Sequence, residues 1–312
     1  MKYMKKKKVK RVDDKMKKIF CVGHATYDIT MPVESFPKEN TKIKTYSKIE
    51  CGGGSSANSS VLLSRWGEKA YFIGSAGDDI YGERIRASFI NDNVSTRYFR
   101  LKKGVYTSTS FILANTKNGK RTITTFKDKN LNYKNKTILT KPDVMLFDGE
   151  HYETSLFLVK KYKSALKIID AGSYKEDTIK LCKYMDYIVC SKDFAESYSE
   201  MMIDVKDIDS IINVYKKLEE DFKGTIVITL EAYGSFAKID NEYKIIPSIK
   251  VKAVDSTGAG DIYHGAFTYF ISNGFPLSKT MYLSNVAGAL SVSKLGSRYS
   301  IPLKRDVLSY DK

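Results

Sequence analysis

The stretch VDSTGAGDIYHGAF, Val254 to Phe267, sets two glycines around an alanine, follows them with an aspartate and then turns helical. A helix N-terminus exposes unpaired backbone N–H groups and carries roughly half a positive charge. With Gly258, Ala259 and Gly260 keeping side chains out of the way, an anion such as a phosphate can approach those amides directly. Asp261 then falls in the first helical turn, beside whatever the amides hold, where its carboxylate can take the proton of an attacking alcohol. The pattern suits phosphoryl transfer: amides meet the charge on the transferred group while the aspartate orients and deprotonates the nucleophile. Read alone, the same residues would serve as well to complement a helix dipole and to pack glycines on a strand.

Working outward, KIFCVG (Lys18–Gly23) reads as a short buried strand ending in a glycine turn, and SANSSVLLSRWG as a helix stopped by Gly67. AYFIGSAG is a second apolar strand, with a helix through GERIRASFI after it. TKIKTYSKIE (Thr41–Glu50), STRYFRL and TSTSFILANTKNGKRTITTF then alternate with period two, the mark of half-exposed antiparallel strands, the last pair turning at Asn118–Gly119. VMLFDG, LKIIDAG, YIVCS and TIVITL restore the rhythm of apolar strand and helix, SFAKIDNEYKIIP reads as a hairpin turning at Asp240–Asn241, and helices over 258–273 and 277–295 close the chain. Repeated strand–helix units predict an α/β fold: three layers, α/β/α, around a doubly wound, mostly parallel sheet. The period-two strands predict a separate small β-sheet lid, inserted at about 30–52 and 95–127, at the carboxyl ends of the main strands where such sheets bind ligands.

The 312 residues carry a net charge of +16. Residues 1–18 hold ten Lys/Arg and two Asp, so half of that charge sits in the amino-terminal run. The expected organisation is therefore a basic tail, 1–17, and one α/β domain, 18–312. Such an arm would suit nucleic acid or an anionic surface, but its composition equally makes a solvated tail of little specificity, which is the preferred reading. No run of 18 apolar residues occurs, which excludes a membrane-spanning helix. Cys21, Cys51, Cys182 and Cys190 show no CxxC spacing, and reduced buried thiols in a cytoplasmic protein are expected.

Four segments resemble the ribokinase family of sugar kinases, also named after a minor phosphofructokinase. DSTGAGDIYHGAF is similar to its Asp-Thr-x-Gly-Ala-Gly-Asp signature, with Ser256 where threonine is commoner. GGSSANSSVLLSRWG (Gly53–Gly67) is similar to its Gly-Gly-x-x-x-Asn segment, and FIGSAGDDIYGERI and GALSVSKLGSRYSIP match two further segments in order. The resemblance implies that Asp261 is the base and that Gly258, Ala259 and Gly260 form the anion hole for the γ-phosphate of ATP. It implies that Asp28, Gly53, Gly54 and Asn58 hold the sugar, and that Thr229, Gly234 and Asn285 lie on the nucleotide side, with Glu231 where glycine is commoner. Asp255, Thr257, Gly296 and Ser300 match ligands of a monovalent cation, potassium in some relatives. Magnesium is implied with ATP, although Ser191 and Phe194 replace the Asn-x-x-Glu that many relatives carry. The SKD wording hints at a ketohexose substrate, a nucleoside kinase of the same family is the alternative, and pairing of lids implies a homodimer. A nucleic-acid-binding protein working through the basic tail is the rival from another class. His264, about one turn past Asp261, is within reach of the same site but is expected on the helix surface or in packing, and Glu150 and His151, after a strand end, are given no role.

Overall fold

Strand Lys18–Val22 (β1) is an interior strand of the main sheet, and every residue after its first is buried. The computed structural model describes residues 16–135 and 137–311. Most of the expected basic tail, residues 1–15, lies outside them. Its last residue, Lys17, is fastened to the body: its N–H donates to Glu68 Oε2 at 2.6 Å and its ammonium to Asn273 Oδ1 at 3.1 Å.

β1 pairs in parallel with Lys69–Gly77 (β4) on one side and Val144–Phe147 (β8) on the other. The parallel sheet continues from β8 through Leu166–Ala171 (β9) and Tyr187–Ser191 (β10) to Thr225–Thr229 (β11). An antiparallel hairpin, Ser235–Ile239 (β12) and Glu242–Ile246 (β13), finishes that edge. Its turn falls at Asp240 and Asn241, both with positive φ, as the sequence predicts. Successive side chains point to opposite faces, so β1 sends Ile19 and Cys21 into one core and Phe20 and Val22 into the other. Helices Ser55–Arg65 (α1), Ile80–Asn91 (α2), Ala259–Ser272 (α7) and Leu277–Ser291 (α8) cover the first face. Tyr152–Lys161 (α3), Glu176–Cys182 (α4), Lys192–Ser199 (α5) and Ile208–Asp221 (α6) cover the second. Each fully buried Phe, Ile or Leu of these layers contributes about 1.5–3 kcal/mol through lost apolar hydration. All four cysteines are buried.

A second, four-stranded sheet stands apart: Ile49–Gly53 (β3), Thr26–Val33 (β2), Thr109–Asn115 (β6) and Arg121–Phe126 (β7), in that order. This is the small sheet expected from the alternating segments, with two corrections. STRYFRL belongs to Ser95–Lys102 (β5), which pairs in parallel with β4 and forms the other edge of the nine-stranded sheet. Its alternation reflects an edge strand of the main sheet, which buries Tyr98 and Phe99 and leaves Arg97 and Arg100 outside. Within the expected strand Thr41–Glu50 only the last two residues are extended in the sheet; residues 41–48 are irregular and mostly exposed, having no neighbouring strand to complete their hydrogen bonds.

Candidate active site

β1 ends in Gly23–His24, β8 in Asp148 and β9 in Asp170–Ala171, so three parallel strands deliver polar groups to one end of the sheet. At that end α7 begins. Gly258, its cap, has φ 79°, a left-handed conformation that costs an L-residue and suits glycine. A side chain at Gly260 would meet nothing within 4 Å, so there is open space beside the first turn, where the Ala259 N–H reaches the Ser256 carbonyl at 3.3 Å. Asp261 lies in that turn, with its Oδ2 accepting from Asn58 Nδ2 at 2.7 Å, while its backbone carbonyl accepts from the Ser59 hydroxyl at 2.8 Å. Helix α1 thus runs beside α7 and presents Asn58 to the carboxylate.

Asp28, on lid strand β2, is buried and accepts from the Thr26 hydroxyl at 2.7 Å and the Ser297 hydroxyl at 3.4 Å. Burial holds its carboxyl above the usual range; the Thr26 hydrogen bond pulls it back, the charge of Asp261 pushes it further up and that of Arg298 draws it down. Asp28 therefore shares an electrostatic environment with the catalytic candidate. Gly53 and Gly54 lead into α1 beside it. The lid also reaches the turn before α7: Arg121 Nη1 donates to the Ser256 hydroxyl at 2.6 Å and to its carbonyl at 3.0 Å.

The residues expected on the nucleotide side converge as well. Asn285 Nδ2 donates to the Ile246 carbonyl at 2.8 Å, and a side chain on Gly234 would collide with that same oxygen. Thr229 pairs across β11 and β12 with Ser235, the neighbour of Gly234. Asp255 is buried and joins two loops, accepting from Thr257 N at 2.8 Å and from Gly296 N at 2.9 Å. Ser300 closes the second loop through its N–H to the Gly296 carbonyl at 3.0 Å. The Thr257 hydroxyl is buried with no partner among the described residues. An orphaned hydroxyl beside a buried carboxylate and two loop backbones fits a monovalent cation. Ser191 instead caps α5, accepting from Phe194 N at 3.0 Å, and Glu196 is occupied by Ile203 N at 2.7 Å and by Lys192. Both contacts of Glu196 fall on Oε1, and among the described residues no cluster of three or more His, Cys, Asp or Glu could hold a metal.

Three features escaped the sequence. His24 Nδ1 lies 3.0 Å from Asp148 Oδ2, and Asp148 also accepts from the backbone N–H groups of His24 and Glu150 at 3.1 Å each. Burial opposes charge on His24, but the Asp148 carboxylate outweighs it, so the imidazole titrates above its ordinary range. Glu150 bridges Lys127, just past the lid, and Lys175, both at 2.8 Å. His264 is buried, in packing and not on the surface: Nδ1 lies 2.6 Å from the Gly260 carbonyl and Nε2 3.1 Å from that of Val189, with Asp170 at 3.4 Å. The strand-terminal Asp in VMLFDG is the available signal for the first, and the place of His264 about one turn past Asp261 is the signal for the last. His151 is half-buried against Tyr133, 5.5 Å between ring centroids, in a left-handed backbone conformation.

Residues 16–304 match the model of the pfkB family carbohydrate kinases. The chain belongs to that family. As a pfkB family carbohydrate kinase it is a phosphotransferase acting on a sugar hydroxyl. It is 23% identical over 303 residues to a ribokinase of Haemophilus influenzae, covering 94% of this chain and 98% of that protein. It is 25% identical over 301 residues to a nucleoside kinase of Methanocaldococcus jannaschii, covering 92% and 94%. Its fold matches that of Arabidopsis thaliana ribokinase complexed with ribose and ATP, with a TM-score of 0.78 at 20% identity over 95% of this chain and 98% of that one.

Proposed function

We propose that this kinase transfers the γ-phosphate of ATP to a hydroxyl of a small sugar, with ribose as the first candidate. The observation that carries the reading is the carboxylate of Asp261 in the first turn of α7, next to the open space at Gly260 and bonded to Asn58 at 2.7 Å. In this reading Asp28 and Asn58 hold the sugar, Asp261 receives its hydroxyl proton and the amides of Gly258, Ala259 and Gly260 stabilise charge on the transferred phosphoryl group. Thr229, Gly234 and Asn285 shape the nucleotide side. Asp255, Thr257, Gly296 and Ser300 hold a monovalent cation that stiffens the loop before α7, and magnesium supplies charge neutralisation on the phosphates of ATP.

The ribokinase relatives turn the expected substrate from a ketohexose to a pentose, and His24 and Asp148 add a polar pair at the strand ends where the sugar would lie. The outer face of the lid carries Phe111 and Phe126, 48% and 50% exposed, with Ile29 in register beside Phe111. A second copy pairing there gives the homodimer. Among the described residues no helix is long and apolar enough to cross a membrane, which accords with a cytoplasmic enzyme.

A coupled ADP-release assay with MgATP tests the reading against ribose, other pentoses, ketohexoses and nucleosides, with and without potassium. Turnover confined to pentoses, raised by potassium, is expected. Turnover confined to nucleosides would replace the sugar, and identical rates without a monovalent cation would remove the Asp255 site.

A further inference from the structure

Arg298 is buried to within 3% of full occlusion, and among the described residues no carboxylate lies within ion-pair distance of it. Burial draws its pKa down from the usual arginine range, against the more distant charges of Cys51, Asp28 and Asp92. A buried charge so placed is costly unless its donors are used; Nη2 is buried with no partner among the described residues, and the other donors are placed specifically. Nε donates to Asn58 Oδ1 at 3.2 Å, and Nη1 donates to the Ser88 hydroxyl on α2. The guanidinium carbon lies 4.8 Å from the centroid of the Phe89 ring. On the other side the group fills the space that a side chain on Gly52 would need, a Cβ there falling 2.4 Å from Cζ. Ring, hydroxyl and bare backbone fix the plane of the guanidinium, and the guanidinium fixes Asn58.

An asparagine amide can present either end to a neighbour, and the two ends differ little in shape. With Oδ1 committed to Arg298, Nδ2 is the end left for Asp261, and it stands at 2.7 Å from Oδ2. Were the amide reversed, its oxygen would face the carboxylate, two acceptors with no proton between them. We propose that Arg298 is a positioning residue for the catalytic base: it holds the Asn58 amide in the one orientation that donates to Asp261 and keeps that carboxylate aimed at the substrate hydroxyl. This rests on the reading of Asp261 as the base.

Two substitutions separate the donor from the charge. Arg298→Gln puts an N–H at the same bond position as Nε and removes the charge. Arg298→Lys keeps the charge and places its only nitrogen one atom further out. Steady-state kinetics of both, with Arg298→Met and each in an Asn58→Ala background, decides the matter. Lys and Met are expected to lower kcat by about ten- to a hundredfold, the scale of a small misplacement of a reacting group, with KM for ATP unchanged. Gln is expected to recover most of kcat, and in the Asn58→Ala background none of the three should cost anything more. Should Met fail to fold, the Gln and Lys pair still decides. A Lys variant as active as the parent beside an impaired Gln variant would overturn the proposal in favour of a charge effect. So would full additivity with Asn58→Ala, or parental kcat in both Lys and Met. An Asp261→Asn variant run alongside distinguishes the two levels: full activity there removes the base, whereas an inactive Asp261→Asn beside unaffected Arg298 variants removes only the positioning role.

Discussion

Asp28 and Gly53 share one volume: a Cβ built on Gly53 would fall 2.0 Å from Oδ2 of Asp28. The carboxylate can stand there only because the facing strand offers bare backbone, and the Thr26 hydroxyl then pins it at 2.7 Å. Gly53→Ala should therefore displace Asp28. An overpacking cost of about 1–3 kcal/mol, read through binding, corresponds to a rise in sugar KM of about 5- to 150-fold, with KM for ATP unchanged. Steady-state kinetics with each substrate varied in turn measures both, and an unaltered sugar KM would take Asp28 out of the sugar site.

Asp261→Asn keeps a hydrogen-bonding partner for Asn58 and the shape of the first turn of α7, but offers no basic oxygen. Turnover should fall by about two to four orders of magnitude, the usual worth of a positioned base, with ATP binding retained. Single-turnover rates and calorimetric titration with ATP read these separately. A variant that turns over near the parental rate would leave Asp261 without its assigned role.

Glu231 has φ 52°, a left-handed conformation in an acidic residue at the position where the family's turn usually carries glycine. That conformation strains an L-residue by roughly 1–2 kcal/mol. Glu231→Gly is accordingly expected to raise the unfolding free energy by up to about 1 kcal/mol after glycine's greater unfolded-state entropy is subtracted. Urea denaturation followed by circular dichroism measures it, and a destabilised variant would mean that the Glu231 side chain supplies a compensating contact.

Glu150 titrates near 2, down from 4.5: burial pushes its carboxyl up, and the hydrogen bonds and charges of Lys127 and Lys175 outweigh that. A folded-state value below the unfolded one gives stability that is complete above about pH 4.5 and is lost as pH falls towards 2. Both lysines are half exposed, so solvent screening limits the contribution to about 1 kcal/mol. Glu150→Gln should flatten the acid limb of the stability profile between pH 5 and 2 by about that amount. Unfolding curves at a series of pH values test it; parallel profiles would show that the two lysines bind Glu150 no more tightly when folded.

The two glycine turns, the alternating lid strands and the βα rhythm were legible because each is a local pattern whose period or bare backbone forces one geometry. β5 was misassigned because an edge strand of a parallel sheet alternates much as a half-exposed antiparallel strand does. Thr41–Lys48 alternates too, yet finds no neighbouring strand, and pairing is a property of the whole chain. The His24–Asp148 pair joins the ends of two strands 124 residues apart, so no spacing encodes it. Nothing in the sequence singles out Arg298, because Phe89, Ser88 and Gly52, which surround it, come from distant segments.

Asp28 rides on the four-stranded sheet and Asp261 on a helix packed against the nine-stranded one. On the proposed reading a substrate has to span both bodies, so its length is gauged by how well it draws them together. A sugar shortened at the end that Asp28 grips could still enter the crevice, but its reacting hydroxyl would lose alignment with the base. Such an analogue forfeits turnover as well as affinity, because part of the grip at one end is spent on alignment at the other. Selectivity in this kinase would then be written in kcat as well as in KM, and a screen based on binding alone would understate it.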